Sequence, residues 1–120
     1  MNTNYKEDYH KNGNIRLKSK SKYNEKGQRE RSWYYDINGI LKSEFLYSNG
    51  VLVKLIQYHP DGATKACEAN YKSGIIHGTW LGYHENGEKF IEMEYKSGKL
   101  SGFKKVYGYD GELCNISYCI

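Results

Sequence analysis

Proline is almost missing from this sequence: Pro60 stands alone among 120 residues. A chain with thirteen glycines and one proline must make its turns with glycine, which reaches positive φ at no steric cost. Long apolar runs are missing too. The opening MNTNYKEDYHKNG predicts neither a secretory signal nor a membrane span. Cysteine is scarce. Cys67, Cys114 and Cys119 are odd in number and form no C-x-x-C pair, which predicts free thiols in a reducing cytoplasm rather than a disulfide framework. Hydrophobic residues make up only 38% of the chain, which is thin for a two-layer core at this length. Thirteen tyrosines, three phenylalanines and two tryptophans supply much of that share, and tyrosine buries its ring while its hydroxyl stays wet.

What the chain has in abundance is repetition. Nine times a tyrosine is followed three or four residues later by glycine: YHKNG (9–13), YNEKG (23–27), YDING (35–39), YSNG (47–50), YHPDG (58–62), YKSG (71–74), YHENG (83–87), YKSG (95–98) and YGYDG (107–111). In six of them Asn or Asp stands directly before Gly, the pair that tolerates positive φ at both central positions of a tight hairpin turn. From Tyr35 onward the four-residue and three-residue gaps alternate, so the unit is two strands and about 24 residues.

Between the turns the side chains alternate. Aligned on Tyr47, Tyr71, Tyr95 and Tyr118, the residues two before are Phe45, Ala69, Met93 and Ile116, and those four before are Ser43, Cys67, Ile91 and Cys114. The residues three before are Glu44, Glu68, Glu92 and Asn115. A period of two predicts strands with one buried face and one wet face, the glutamates pointing outward. Consecutive hairpins make a meander, so the expected fold is all-β: one elongated, twisted antiparallel sheet of nine or ten strands in a single domain over residues 1–120. At about 4.8 Å per strand it would run roughly 40–45 Å.

The stretch YKSGIIHGTWLGYHENGEKFIEMEYKSGKLSG (71–102) resembles the MORN repeat, in the variant found in bacterial antitoxin-family proteins. Gly74, Gly78, Trp80, Tyr83, Asn86 and Gly87 match the pattern of that repeat. The resemblance covers residues 34–118. Over 1–33 it weakens, with Ser19 and Ser21 where apolar residues should stand, and after Gly50 the second glycine is replaced within VLVKL. The resemblance implies an array of hairpins with a binding role, since related MORN segments act as adaptors to proteins or anionic lipids.

Catalytic and metal-binding chemistry finds little purchase. His10, His59 and His84 each follow a repeat tyrosine, but equivalent positions two strands apart lie about 9.5 Å from each other, too far for ordinary zinc ligation. His77 has no evident partner, and no Ser-His-Asp order, phosphate loop or acid pair emerges. The expectation is a protein without catalysis, cofactor or metal. Charge is more informative. Residues 1–31 carry nine Lys and Arg against four Asp and Glu, while residues 32–120 carry nine against ten. Arg16, Lys18, Lys20 and Lys22 fall at a period of two, hence on one strand face. That strand reads either as a lysine-protected terminal edge or as an anionic contact surface together with Arg29, Arg31, Trp33 and Tyr34. The final stretch ELCNISYCI (112–120) has no charge after Glu112, which predicts an open edge at Asn115, Ile116, Ser117 and Tyr118 with Cys114, Ile116 and Tyr118 turned inward. Such an edge suits a target strand or a homodimer; the alternative is a terminus that curls back and caps the sheet.

The function expected from this reading, with the family resemblance, is a stoichiometric inhibitor: an antitoxin, an immunity protein, or a phage-type inhibitor of a nuclease defence effector such as a CRISPR effector. The alternative is an adaptor gripping nucleic acid through the basic strand, with Trp33, Tyr34 and Tyr35 as stacking platforms. Docking on an anionic membrane is the weaker variant.

Overall fold

The computed structural model describes residues 4–12 and 15–119, with side chains for Tyr5 and residues 18–118. Ten strands follow one another: β1 (Asn4–Asn12), β2 (Ile15–Tyr23), β3 (Arg29–Tyr35), β4 (Leu41–Ser48), β5 (Val51–Tyr58), β6 (Lys65–Lys72), β7 (Ile75–Tyr83), β8 (Lys89–Lys96), β9 (Lys99–Tyr107) and β10 (Leu113–Cys119). Their order in the sheet is their order in sequence, every neighbouring pair is antiparallel, and the two outer strands β1 and β10 do not meet. The protein is therefore an open all-β meander. No helix long and apolar enough to cross a membrane occurs among the described residues. The molecule measures 45 × 31 × 31 Å. The long axis agrees with the strand count, and a third dimension three times the thickness of a flat sheet shows how strongly the sheet twists.

Two kinds of turn alternate between the two ends of the strands. The short turns place both central residues at positive φ: Asn49 (51°) and Gly50 (80°), Ser73 (52°) and Gly74 (80°), Ser97 (51°) and Gly98 (86°). That twist matches the flanking strands. The longer loops differ from the sequence expectation, because the Asn or Asp before their glycine does not adopt positive φ. There the Asx side chain caps the loop instead. Asp61, Asn86 and Asp110, each directly before its glycine, accept from the backbone N–H two residues ahead at 2.9–3.0 Å, and in the 35–39 loop Asp36, at the start of the loop, takes that part with the N–H groups of Asn38 and Ile40 at 2.9 and 3.0 Å. A side-chain oxygen that satisfies the loop's N–H groups removes the need for a second left-handed residue.

Directly paired residues share a face. One face carries the row Lys20, Trp33, Glu44, Ile56, Glu68, Leu81, Glu92, Lys105 and Ile116. The other carries Ser21, Ser32, Phe45, Leu55, Ala69, Trp80, Met93, Lys104 and Ser117. Phe45, Ala69 and Met93 do share a face, as their spacing predicts. Three expectations are corrected. First, the burial is not one-sided: the two buried apolar side chains among the described residues, Ile56 and Ala69, lie on opposite faces, because a twisted single layer shields both faces with its own long side chains. Second, Glu44 and Glu68 are buried at 5% and 9% exposure rather than wet. Third, Cys114, Ile116 and Tyr118 do not continue the inward positions. The 24-residue register runs on unbroken into the last strand, with the same bulge between Leu113 and Asn115 as between Lys65 and Cys67 or Lys89 and Ile91, so Tyr118 is not the equivalent of Tyr95: Asn115 and Ser117 join the Phe45 face while Ile116 and Tyr118 face Lys105 and Phe103 on the other.

The serines that break the apolar pattern also find their reason. Ser19, Ser21 and Ser32 are all buried, and the Ser21 and Ser32 hydroxyls bond each other at 2.9 Å. Small side chains with paired hydroxyls let this end of the sheet close tightly.

Candidate functional site

The buried glutamates belong to a repeated cross-strand arrangement. Glu44 pairs with Arg31 and accepts the Tyr58 hydroxyl at 2.9 Å. Glu68 pairs with Lys65 and, at 3.7 Å, with Lys54. Glu92 pairs with Lys89 at 3.3 Å and accepts the Tyr107 hydroxyl at 3.2 Å. Each carboxylate thus has a cation and, in two of the three cases, a phenol from the strand beyond. Removing charges from water is tolerable only when they are paired and hydrogen-bonded in this way. Desolvation and then the Glu44 bond push the Tyr58 phenol up to about 12. Burial also raises Tyr83 beside Glu68.

The histidines serve the turns. His59 Nε2 lies 2.9 Å from the Tyr83 carbonyl, and His84 Nε2 lies 2.9 Å from the Tyr107 carbonyl. Each ring therefore links its own loop to the next loop on the same side, one repeat on. His84 also packs against Phe90 and Tyr109 at 4.5 and 5.0 Å. His77 Nδ1 accepts the Ser97 N–H at 3.2 Å. Sequence reasoning saw the recurrence of His after Tyr but not its use, because the sheet's twist that brings the loops together leaves no mark in the spacing. Among the described residues no cluster of His, Cys, Asp and Glu is set to hold a metal ion. Cys67 and Cys114 are free thiols, and burial raises the Cys67 thiol.

The basic residues singled out from sequence separate onto two faces. Lys20 and Trp33 pair across β2 and β3, as do Lys22 and Arg31 and, further along, Lys18 and Tyr35, which places Lys18, Lys20, Lys22, Arg31 and Trp33 together. Tyr34 pairs with Ser19 and Ser43 on the opposite face, where its ring meets Phe45 edge-on at 5.3 Å. Arg29 lies 5.7 Å from the rings of both Tyr23 and Tyr47. A bulge at Lys22 and Tyr23 turns Arg29 away from its neighbours in sequence. Trp33, Tyr34 and Tyr35 therefore cannot present one stacking platform, since successive strand residues point to opposite sides. The side chain of Arg16 lies outside the described residues. Nor is the basic strand a terminal edge: β1 pairs along its whole length, with Glu7 opposite Lys20.

On the shared face, Lys20 Nζ sits 4.6 Å from the Tyr5 ring centroid and 6.0 Å from that of Trp33, and the Arg31 guanidinium is 5.4 Å from Trp33. Lys22 meets Glu30 at 3.5 Å. Tyr5, Lys22, Glu30, Arg31, Trp33 and Leu46 line an open pocket of about 280 Å³. Arg31 is held from behind by Glu44, itself held by Tyr58, and its Nε is buried with no hydrogen-bond partner.

At the far end β10 is the outer strand of the described sheet, and no described strand pairs with its free side. Residues 112–118 are all exposed, with Tyr118 at 72% and Leu113 at 52%. Asn115, Ile116, Ser117 and Tyr118 all lie in this strand and alternate between the two faces. The fold and these two surfaces describe an open hairpin-repeat sheet. No protein-family model and no curated protein matches the chain.

Proposed function

We propose that this chain is a non-catalytic, MORN-like binding module that acts in the cytoplasm as a stoichiometric inhibitor of a protein target, an effector of the toxin or defence-nuclease kind. The observation that carries the reading is β10. It is an uncharged outer strand, LCNISYC, with exposed Leu113, Ile116 and Tyr118 and a free row of backbone donors and acceptors. A strand of the target that adds to this edge gains main-chain hydrogen bonds, and pockets for alternate side chains supply specificity. The resemblance of residues 34–118 to antitoxin-type MORN repeats supports the same reading.

The test uses Asn115→Pro, which removes a donor from the middle of the strand and sets a ring against any incoming neighbour. Wild-type protein and the variant, each shown to be folded by circular dichroism, are used to capture partners. The captured effector is then purified and recombined with each. The expected result is a one-to-one complex by light scattering and loss of effector activity at one equivalent of wild-type protein, with both lost for the variant. Full inhibition by the folded variant would place the contact elsewhere, and a complex that leaves the effector active would overturn the inhibitor reading. A wild-type dimer that the variant loses would assign the edge to a second copy of the chain.

A further inference from the structure

The pocket between β1 and β4 lies at the end of the sheet opposite β10 and has a chemistry of its own. Two of its walls are aromatic rings, Tyr5 and Trp33, and Tyr5 is 54% exposed. Its cations differ in their partners. Arg31, its side chain 43% exposed, is engaged by Glu44 and lies over Trp33. Lys22 stands on the wall with its side chain 34% exposed, and Lys20 reaches over both rings from the neighbouring row. The Lys22–Glu30 pair is long, at 3.5 Å, so each group keeps hydrogen-bonding capacity for a third partner. On this part of the face Lys18, Lys20, Lys22 and Arg31 outnumber Glu30 and Glu44 among the described side chains, and residues 1–31 hold the positive excess of the whole chain. An anion is therefore steered toward this end.

Flat π-surfaces next to lysine ammonium groups match one ligand chemistry: a planar ring that carries a phosphate. The ring stacks against Trp33 or Tyr5, the phosphate takes Lys22 and Lys20, and Glu30 accepts from an exocyclic amino group. We propose that this pocket is a nucleotide subsite, which takes one purine or cytosine nucleotide either as a free molecule or as one unit of a single strand.

The experiment follows the Trp33 indole N–H in two-dimensional NMR of the whole chain, the signal being assigned by its loss in Trp33→Phe. Four probes are titrated: inorganic phosphate, adenosine, adenosine monophosphate, and a ten-nucleotide deoxyadenosine strand. Saturable shifts of the Trp33 signal are expected with the monophosphate and the strand, with adenosine and phosphate each binding at least about tenfold more weakly, the factor expected for losing one charged hydrogen bond or one stacked ring. Lys22→Gln, a change at a part-exposed side chain, should weaken the monophosphate about tenfold, and raising the salt should weaken the strand more than the monophosphate. A strand that binds far more tightly than the monophosphate names single-stranded nucleic acid as the natural source, and equal affinities name a free nucleotide. The proposal is overturned if neither phosphorylated probe moves Trp33 saturably, if phosphate alone moves it as much, or if Lys22→Gln binds like the wild type. Because Asn115→Pro leaves this end untouched, its result and this one are independent.

Discussion

Ser73 and Ser97 each hold φ near 50° at a turn position where the equivalent Asn49 does the same with less strain, since asparagine visits the left-handed region more readily than serine. Replacing both with asparagine should raise stability by about 0.5 kcal/mol per site, read from urea unfolding, and a loss of stability would show that the serines serve another purpose. Tyr58 gives a pH-dependent counterpart. Its folded pKa of about 12 exceeds its unfolded value near 10, so the folded state holds the proton more tightly. The stabilisation is complete below pH 10 and is lost as the pH rises toward 12. At this part-exposed site the loss amounts to about 1 kcal/mol. Tyr58→Phe should be less stable than the wild type at pH 8, with the gap narrowing between pH 10 and 12. A constant gap across that range would detach the phenol from the stability of the fold.

At the scale of the strand, the rows across the sheet decide what each position tolerates. Glu44 occupies a position that alternation marks as outward, where substitutions are usually worth within about 0.5 kcal/mol. In the row it accepts from Tyr58 and pairs with Arg31, and its removal leaves both without their acceptor. Glu44→Ala should therefore cost about 1–3 kcal/mol, measured by urea denaturation, and a change within 0.5 kcal/mol would mean the carboxylate is idle. The side-chain exposure of the three glutamates rises from 6% at Glu44 through 12% at Glu68 to 21% at Glu92. The same substitution should cost progressively less along that series, because the deeper charge leaves the deeper orphan.

The molecule as a whole is a one-dimensional stack in which the strand contacts run between sequence neighbours. Stability in such an array is close to a sum of nearest-neighbour terms. Excision of residues 71–94, one full unit from Tyr71 to the residue before Tyr95, joins Asn70 to Tyr95 and sets Glu68 opposite Lys105, which preserves both faces. The shortened chain should still unfold cooperatively, with a urea m-value about one-fifth smaller in proportion to the surface lost. Failure to fold would show that the array depends on contacts beyond neighbouring strands.

The recurrence of Tyr and Gly and the two-residue alternation determine by themselves that the chain is all strand and turn, that the hairpins follow one another, and that the sheet is about as long as ten strands require. These are local properties, set by backbone geometry and side-chain period, and the sequence states them directly. It even shows that Tyr118 stands one position off the repeat, since it follows Tyr95 by 23 residues where earlier intervals are 24. Which residues are buried was decided only in three dimensions. A sheet that twists brings strand n and the side chains of strand n + 1 around both faces, so glutamates at formally outward positions acquire cations and phenols from neighbouring strands and leave water. The candidate surfaces divide in the same way. The positive excess of residues 1–31 was legible in composition, but a bulge beside Tyr23 sends Arg29 to the other face, and the pleat does the same for Tyr34. The pocket exists because Tyr5, Lys22, Arg31 and Leu46, drawn from four successive strands, meet at one level of the twisted sheet.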